Sequence, residues 1–182
     1  MAAQGFAVFD TAIGHCGIVW DEHAVLGSRL PEGGPEPTRR HVLERFPGAV
    51  EQEPPEAVRS AIEAVRALLR GEDPPELDDV RLDLSGVPPF HAKVYEVARA
   101  IPVGATMTYG EIAHRLGGGP GAARAVGQAL GANPFPPIVP CHRILAAGDK
   151  KGGFSAHGGT KTKLRMLEIE GVHVEEPTLF DL

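Results

Sequence analysis

Thr108-Tyr109-Gly110-Glu111-Ile112-Ala113-His114-Arg115-Leu116-Gly117-Gly118-Gly119-Pro120-Gly121-Ala122-Ala123-Arg124-Ala125-Val126-Gly127-Gln128-Ala129-Leu130 decides the fold of the second half of this chain. Thr108 suits a helix N-cap, and Glu111 three residues later completes a capping-box pattern. The first helix is expected over 109–116. The glycines and proline of 117–120 make a tight connection. A second helix is expected over 121–130, where Ala122, Ala123, Val126 and Ala129 are small enough for close packing. Two short helices joined by a glycine turn fit a helix-turn-helix, with Arg124 near the start of the second. Any two packed helices meet the same pattern, so other segments have to support the choice.

Upstream, 90–101 reads as an amphipathic helix with Val94, Val97 and Ala98 inward, ended by Pro102-Val103-Gly104. Gly86 and Pro88-Pro89 mark a boundary. Two domains follow, 1–86 and 87–182. The first half opens with strand-like segments at Phe6-Ala7-Val8-Phe9, Cys16-Gly17-Ile18-Val19-Trp20 and Ala24-Val25-Leu26. A loop at 31–35 and a helix over 37–46 come next. The helix over 56–69 is the strongest of the first half, because Val58, Ile62, Val65, Leu68 and Leu69 recur at three- and four-residue steps. Gly71 stops it, and Leu82-Asp83-Leu84 reads as a last strand. The class is α+β: a small α/β domain, then a mostly helical one carrying the helix-turn-helix.

Composition sets limits. No run approaches the ~18 apolar residues of a membrane span. Residues 1–10 lack the basic and long apolar regions of a secretory signal. Two cysteines, Cys16 and Cys141, do not make a disulfide framework. The expected setting is the cytoplasm, with no membrane partner and a usable thiol. Net charge is −6, but it is unevenly spread. Residues 1–87 carry 16 Asp/Glu against 8 Lys/Arg, whereas 88–182 carry 8 against 10. An acidic front and a basic back can present one phosphate-binding face, and two unlike solvated domains give the same balance.

The chemistry concentrates at Pro140-Cys141-His142-Arg143, framed by Ile138-Val139 and Ile144-Leu145. A cysteine is reactive when its thiolate is stabilised and reachable, and neighbouring His and Arg supply a stabilising field. The competing reading is a small buried hydrophobe, since free cysteine is often fully buried.

Five blocks in order carry a resemblance: Pro102-Val103-Gly104, Thr108-Tyr109-Gly110-Glu111-Ile112-Ala113, Ala122-Ala123-Arg124-Ala125-Val126-Gly127, Asn133-Pro134 and Ile138-Val139-Pro140-Cys141-His142-Arg143. Together they resemble the O6-alkylguanine-DNA alkyltransferases, also called methylated-DNA–protein-cysteine methyltransferases. The likeness covers residues 90–171. The first half resembles the family's variable N-terminal domain only in length and strand–helix order.

The resemblance implies a ribonuclease-H-like first domain and a winged-helix-like second. It implies single-turnover transfer of the alkyl group of O6-alkylguanine, and of O4-alkylthymine, to Cys141. The partner is double-stranded DNA containing the lesion, met by a monomer without a cofactor. Flipping is required because the target atom cannot be reached inside the stack. His142 resembles the base that takes the thiol proton through a water. Direct contact is not expected, because adjacent residues of an extended chain point to opposite faces. Glu170 matches the carboxylate that orients this histidine, and Tyr109 the donor to the departing guanine. Asn133 matches a hinge asparagine, and Arg124 the arginine that fills the gap left by the flipped nucleotide. Thr108, Ala122 and Ala123 fall on the DNA side of the same unit. Phe154 and Ser155 match a loop lining the alkyl pocket, although 155–159 departs from the usual pattern. Gly131 stands where some relatives have a basic residue. Arg143 is expected to brace the loop.

Some relatives hold zinc in the first domain. Cys16, His15 and His23 give no four-ligand spacing, so no metal is expected. Two other classes remain open: a non-catalytic damage-recognition module of the same fold, whose members lack the cysteine, and an unrelated Cys-His hydrolase, which leaves the helix-turn-helix unexplained.

Overall fold

Period-two alternation builds the first sheet. Strand β1 (Gly5–Thr11) turns Phe6 and Val8 to one face and Ala7 and Phe9 to the other. Its antiparallel partner β2 (Gly14–Trp20) does the same with Val19 against Cys16, Ile18 and Trp20. Strand β3 (Val25–Arg29) pairs with β2, and the two-residue β4 (Val50–Glu51) adds to β1 in parallel, giving the order β3-β2-β1-β4. The protein is seen in a computed structural model that describes residues 3–119, 121–146 and 160–173.

Two helices cover the sheet. Helix α1 (Pro35–Arg45) sets Val42 against Phe6 and Val19. Gly17 permits this approach, since a Cβ there would lie 2.9 Å from Val42 Cγ2. Helix α2 (Glu56–Leu69) packs Val58, Ile62 and Val65 on the opposite face, beside Phe9, Ile18 and Trp20. Each such fully buried apolar side chain contributes about 1.5–3 kcal/mol. Gly71 ends α2 at φ 95°, a backbone region that suits glycine. The strand expected at Leu82–Leu84 is reduced to a single parallel bridge between Val25 and Leu82.

The second half is helical around one short ladder. Helix α3 (Pro89–Arg99) leads to β5 (Met107–Thr108), α4 (Tyr109–Arg115), α5 (Ala122–Gly131), β6 (Ile144–Leu145) and α6 (Thr160–Ile169). The described residues thus form a mixed α+β fold with small sheets and six α-helices. One apolar cluster runs through both halves, from Trp20 and Ile62 to Val94, Ile112, Val126 and Cys141. No helix among the described residues is long and apolar enough to cross a membrane.

Candidate active site

The helix-turn-helix forms as its sequence requires. The Thr108 side chain accepts a hydrogen bond from the Glu111 N–H at 3.0 Å and caps α4. Gly118 lies so close to Ala122 and the Ala113 carbonyl that no side chain fits there. Gly121 opens α5 at φ 85°. Val126, Ala129 and Leu130 face the core, and the Tyr95 hydroxyl donates to the Ala129 carbonyl at 2.6 Å, tying α5 to α3. Ala123, Arg124 and Gln128 are left exposed on the outer face, with Ala122 half-buried.

The ladder β5–β6 brings the reactive segment to this unit. Met107 pairs with Ile144 and Thr108 with Leu145. Tyr109, the first residue of α4, therefore starts within a few residues of the strand that follows Cys141. Residues Cys141–Arg143 form a single 3-10 turn rather than an extended run. The opposite-faces argument for Cys141 and His142 therefore does not apply.

Asn133 organises the approach to that turn. Its side-chain N–H donates to the Val139 carbonyl at 2.9 Å, and its oxygen accepts from the Phe135 N–H at 2.9 Å. The same side chain draws the Cys141 thiol toward its thiolate. Cys141 is buried, and burial pushes its thiol above the usual value. Asn133, the Lys163 ammonium and the N–H groups of Cys141 and His142 pull the other way. The resting group is a thiol set among donors that favour the thiolate.

Behind it lies an ionic network. Glu170 Oε2 is 2.8 Å from His142 Nε2, and Arg143 makes two bonds to the same carboxylate, at 2.7 and 3.0 Å. The remaining Arg143 arm donates to the Ile101 carbonyl at 2.7 Å. Burial works against the Glu170 charge, but the hydrogen bonds from His142 and Arg143 outweigh it and hold the carboxyl at about 2. Burial also holds His142 below its ordinary value, against the pull of Glu170. A neutral ring beside an ionised carboxylate donates from Nε2, so its lone pair sits on Nδ1. That Nδ1 has no hydrogen-bond partner among the described residues. The network thus leaves one open proton acceptor next in sequence to the thiol. Arg143 braces the turn through Glu170 and Ile101.

Lys163 was not singled out from the sequence. It is 1% exposed, donates to the Ile144 carbonyl at 2.8 Å and stands 6.0 Å from the Tyr109 ring centroid. Burial brings its ammonium down to about 8, opposed by Cys141. Burial and Cys141 raise the Tyr109 phenol. A signal was available: Lys163, Met166, Leu167 and Glu170 recur at three- and four-residue steps, which puts a lysine on the buried face of α6 and a glutamate in line with it just past the helix end. Phe154 and Ser155 lie outside the described residues.

Two cavities flank the turn. One of about 250 Å³ is lined by Ser28, Arg29, Asn133, Pro136 and Cys141. A larger one of about 760 Å³, lined by Leu77, Tyr95, Arg99, Pro140 and Arg143, reaches the back of the turn and not Cys141. Of these two, only the smaller meets the thiol, and neither is lined by Tyr109 or Arg124.

Comparison with known proteins gives the family. The family described as "6-O-methylguanine DNA methyltransferase, DNA binding domain" matches residues 89–172. The chain is 36% identical over 177 residues to the methylated-DNA–protein-cysteine methyltransferase of Mycobacterium tuberculosis, covering 97% of this chain and 98% of that one. A crystal structure of Mycobacterium tuberculosis OGT in complex with DNA superposes with a TM-score of 0.71 at 34% identity, covering 91% and 92%. A DNA base-flipping protein of Thermus thermophilus is 40% identical over 146 residues, covering 80% and 95%. The chain belongs to the methylated-DNA–protein-cysteine methyltransferase family.

Proposed function

We propose that this chain repairs DNA by direct reversal, with Cys141 taking the alkyl group from O6-alkylguanine in duplex DNA. The observation that carries this reading is the buried Cys141 turn, backed by the His142–Glu170–Arg143 network and joined by a two-residue ladder to a helix-turn-helix. The open His142 Nδ1 takes the thiol proton through a water, and Glu170 holds the resulting imidazolium. The Asn133 amide, the Lys163 ammonium and nearby backbone N–H groups stabilise the thiolate. Its sulfur attacks the alkyl carbon, the carbon–O6 bond breaks, and the electron pair leaves with the guanine. Tyr109 donates to that guanine. A thioether has no leaving path, so each molecule reacts once.

Helix α5 supplies the duplex contact. Ala122 and Ala123 let its backbone approach the groove, and Arg124 enters the space of the flipped nucleotide. Thr108 fixes the start of α4 beneath it. The site also accepts O4-alkylthymine. The protein works as a cytoplasmic monomer, with a ribonuclease-H-like domain over 1–86 and a winged-helix-like domain over 87–182.

Arg124→Ala tests the reading. Repair of a duplex bearing O6-methylguanine should fall by about tenfold or more, the scale of a few kcal/mol for base flipping. Reaction with free O6-benzylguanine should remain native. Equal loss with both substrates would assign Arg124 a structural role.

The likeness to a DNA base-flipping protein brings up one second reading, recognition without transfer, and the presence of Cys141 argues against it. It predicts tight lesion binding with no change in protein mass. Alkylation of Cys141 separates the two.

A further inference from the structure

We infer that Ser28, on the edge strand of the N-terminal sheet, is a positioning residue for the alkyl transfer. The inference rests on the reading of Cys141 as the alkyl acceptor, and it gives the first half of the chain a part in the reaction. Ser28 is buried, at 8% exposed, as the fourth of the five residues of β3. It makes two bonds to one segment of the other half. Its N–H donates to the Pro134 carbonyl at 2.9 Å, and its hydroxyl donates to the Pro136 carbonyl at 2.8 Å. These bonds span more than a hundred residues of sequence.

The segment so held is the one that presents the thiol. Asn133 grips it from inside, bonding Phe135 and Val139, and its amide favours the Cys141 thiolate. Ser28 grips it from outside, at the two carbonyls between which Phe135 lies. Prolines 134, 136, 137 and 140 lack the N–H groups that would tie it down otherwise. Gly27 brings the strand close: a Cβ there would lie 3.5 Å from the Pro134 carbonyl and 3.1 Å from the Phe46 ring. Ser28 and Cys141 line the same small cavity. The Ser28 hydroxyl thus fixes the distance between the Asn133 amide and the sulfur, and with it the ease of forming the thiolate.

Ser28→Thr and Ser28→Val separate the hydroxyl from bulk. The two replacements are nearly equal in volume, both are β-branched and suited to a strand, and only threonine can donate to Pro136. Three readouts are needed: the rate of transfer from an O6-methylguanine duplex, duplex affinity, and the pH midpoint of Cys141 alkylation by iodoacetamide. Ser28→Val should slow transfer about three- to tenfold, the worth of one net hydrogen bond, and raise the midpoint. Ser28→Thr should stay close to native, and duplex affinity should not change in either. Equal behaviour of the two variants, or a Ser28→Val loss without a shift of the midpoint, would overturn the role. A native chain that never alkylates Cys141 from the duplex would defeat the repair reading alone, because the iodoacetamide midpoints still decide what Ser28 does.

Discussion

Glu170→Gln should lower the unfolding free energy at neutral pH by about 3–5 kcal/mol, the usual cost of breaking a buried ion pair from one side. The carboxylate binds His142 Nε2 and the Nε and Nη2 groups of Arg143, and its side chain is 2% exposed. Glutamine keeps one accepting oxygen in place of two, turns an N–H toward a donor on the other side, and leaves a buried guanidinium without a counter-charge. Alkyl transfer should slow as well, because His142 loses the partner that fixes its tautomer and supports its imidazolium. The pH dependence has a definite sign. The folded Glu170 carboxyl sits at about 2, below its ordinary value, so its stabilisation is complete above the unfolded carboxylate range. It is lost as pH falls from about 5 toward 2. Urea denaturation of both proteins across that window should show the gap between them closing. A gap that stays constant would remove Glu170 from the network's charge balance.

Cys141→Ser should abolish alkyl transfer while leaving the fold and duplex binding near native. Sulfur and oxygen differ little in size, and the site contributes its backbone N–H to Val139 in either case. The hydroxyl is far too weak an acid for His142 to ionise, and burial makes the anion dearer still. The variant should therefore bind an O6-methylguanine duplex and hold it unrepaired, as seen by gel shift together with an unchanged lesion. Residual transfer at a native rate would move the acceptor to another residue.

Local pattern carried much of the fold. Helix α2 runs over Glu56–Leu69, the span its apolar steps predict, because Ile62, Val65, Leu68 and Leu69 all face the core. Helices α4 and α5 fall within a residue of expectation, since Thr108 and Gly121 set their starts by chemistry that acts at short range. Elements that depend on distant partners were not legible. Strand β4 is two residues long and exists only through its parallel pairing with β1. Leu82–Leu84 reads as a strand by composition, yet it forms a single bridge, from Leu82 to Val25. The site divides the same way. The Cys141-His142-Arg143 run and Glu170 are visible as motifs. The 3-10 turn at Cys141 is not, nor is the donation from Ser28 to Pro136, because both arise from packing between segments far apart in sequence.

The central claim is stoichiometric transfer to one sulfur. A duplex carrying a single radiolabelled O6-methylguanine, mixed with excess lesion over protein, tests it directly. The account predicts one label per protein molecule, recovered on the peptide that contains Cys141, with the guanine restored. Label released to water, or more than one lesion repaired per molecule, would contradict it.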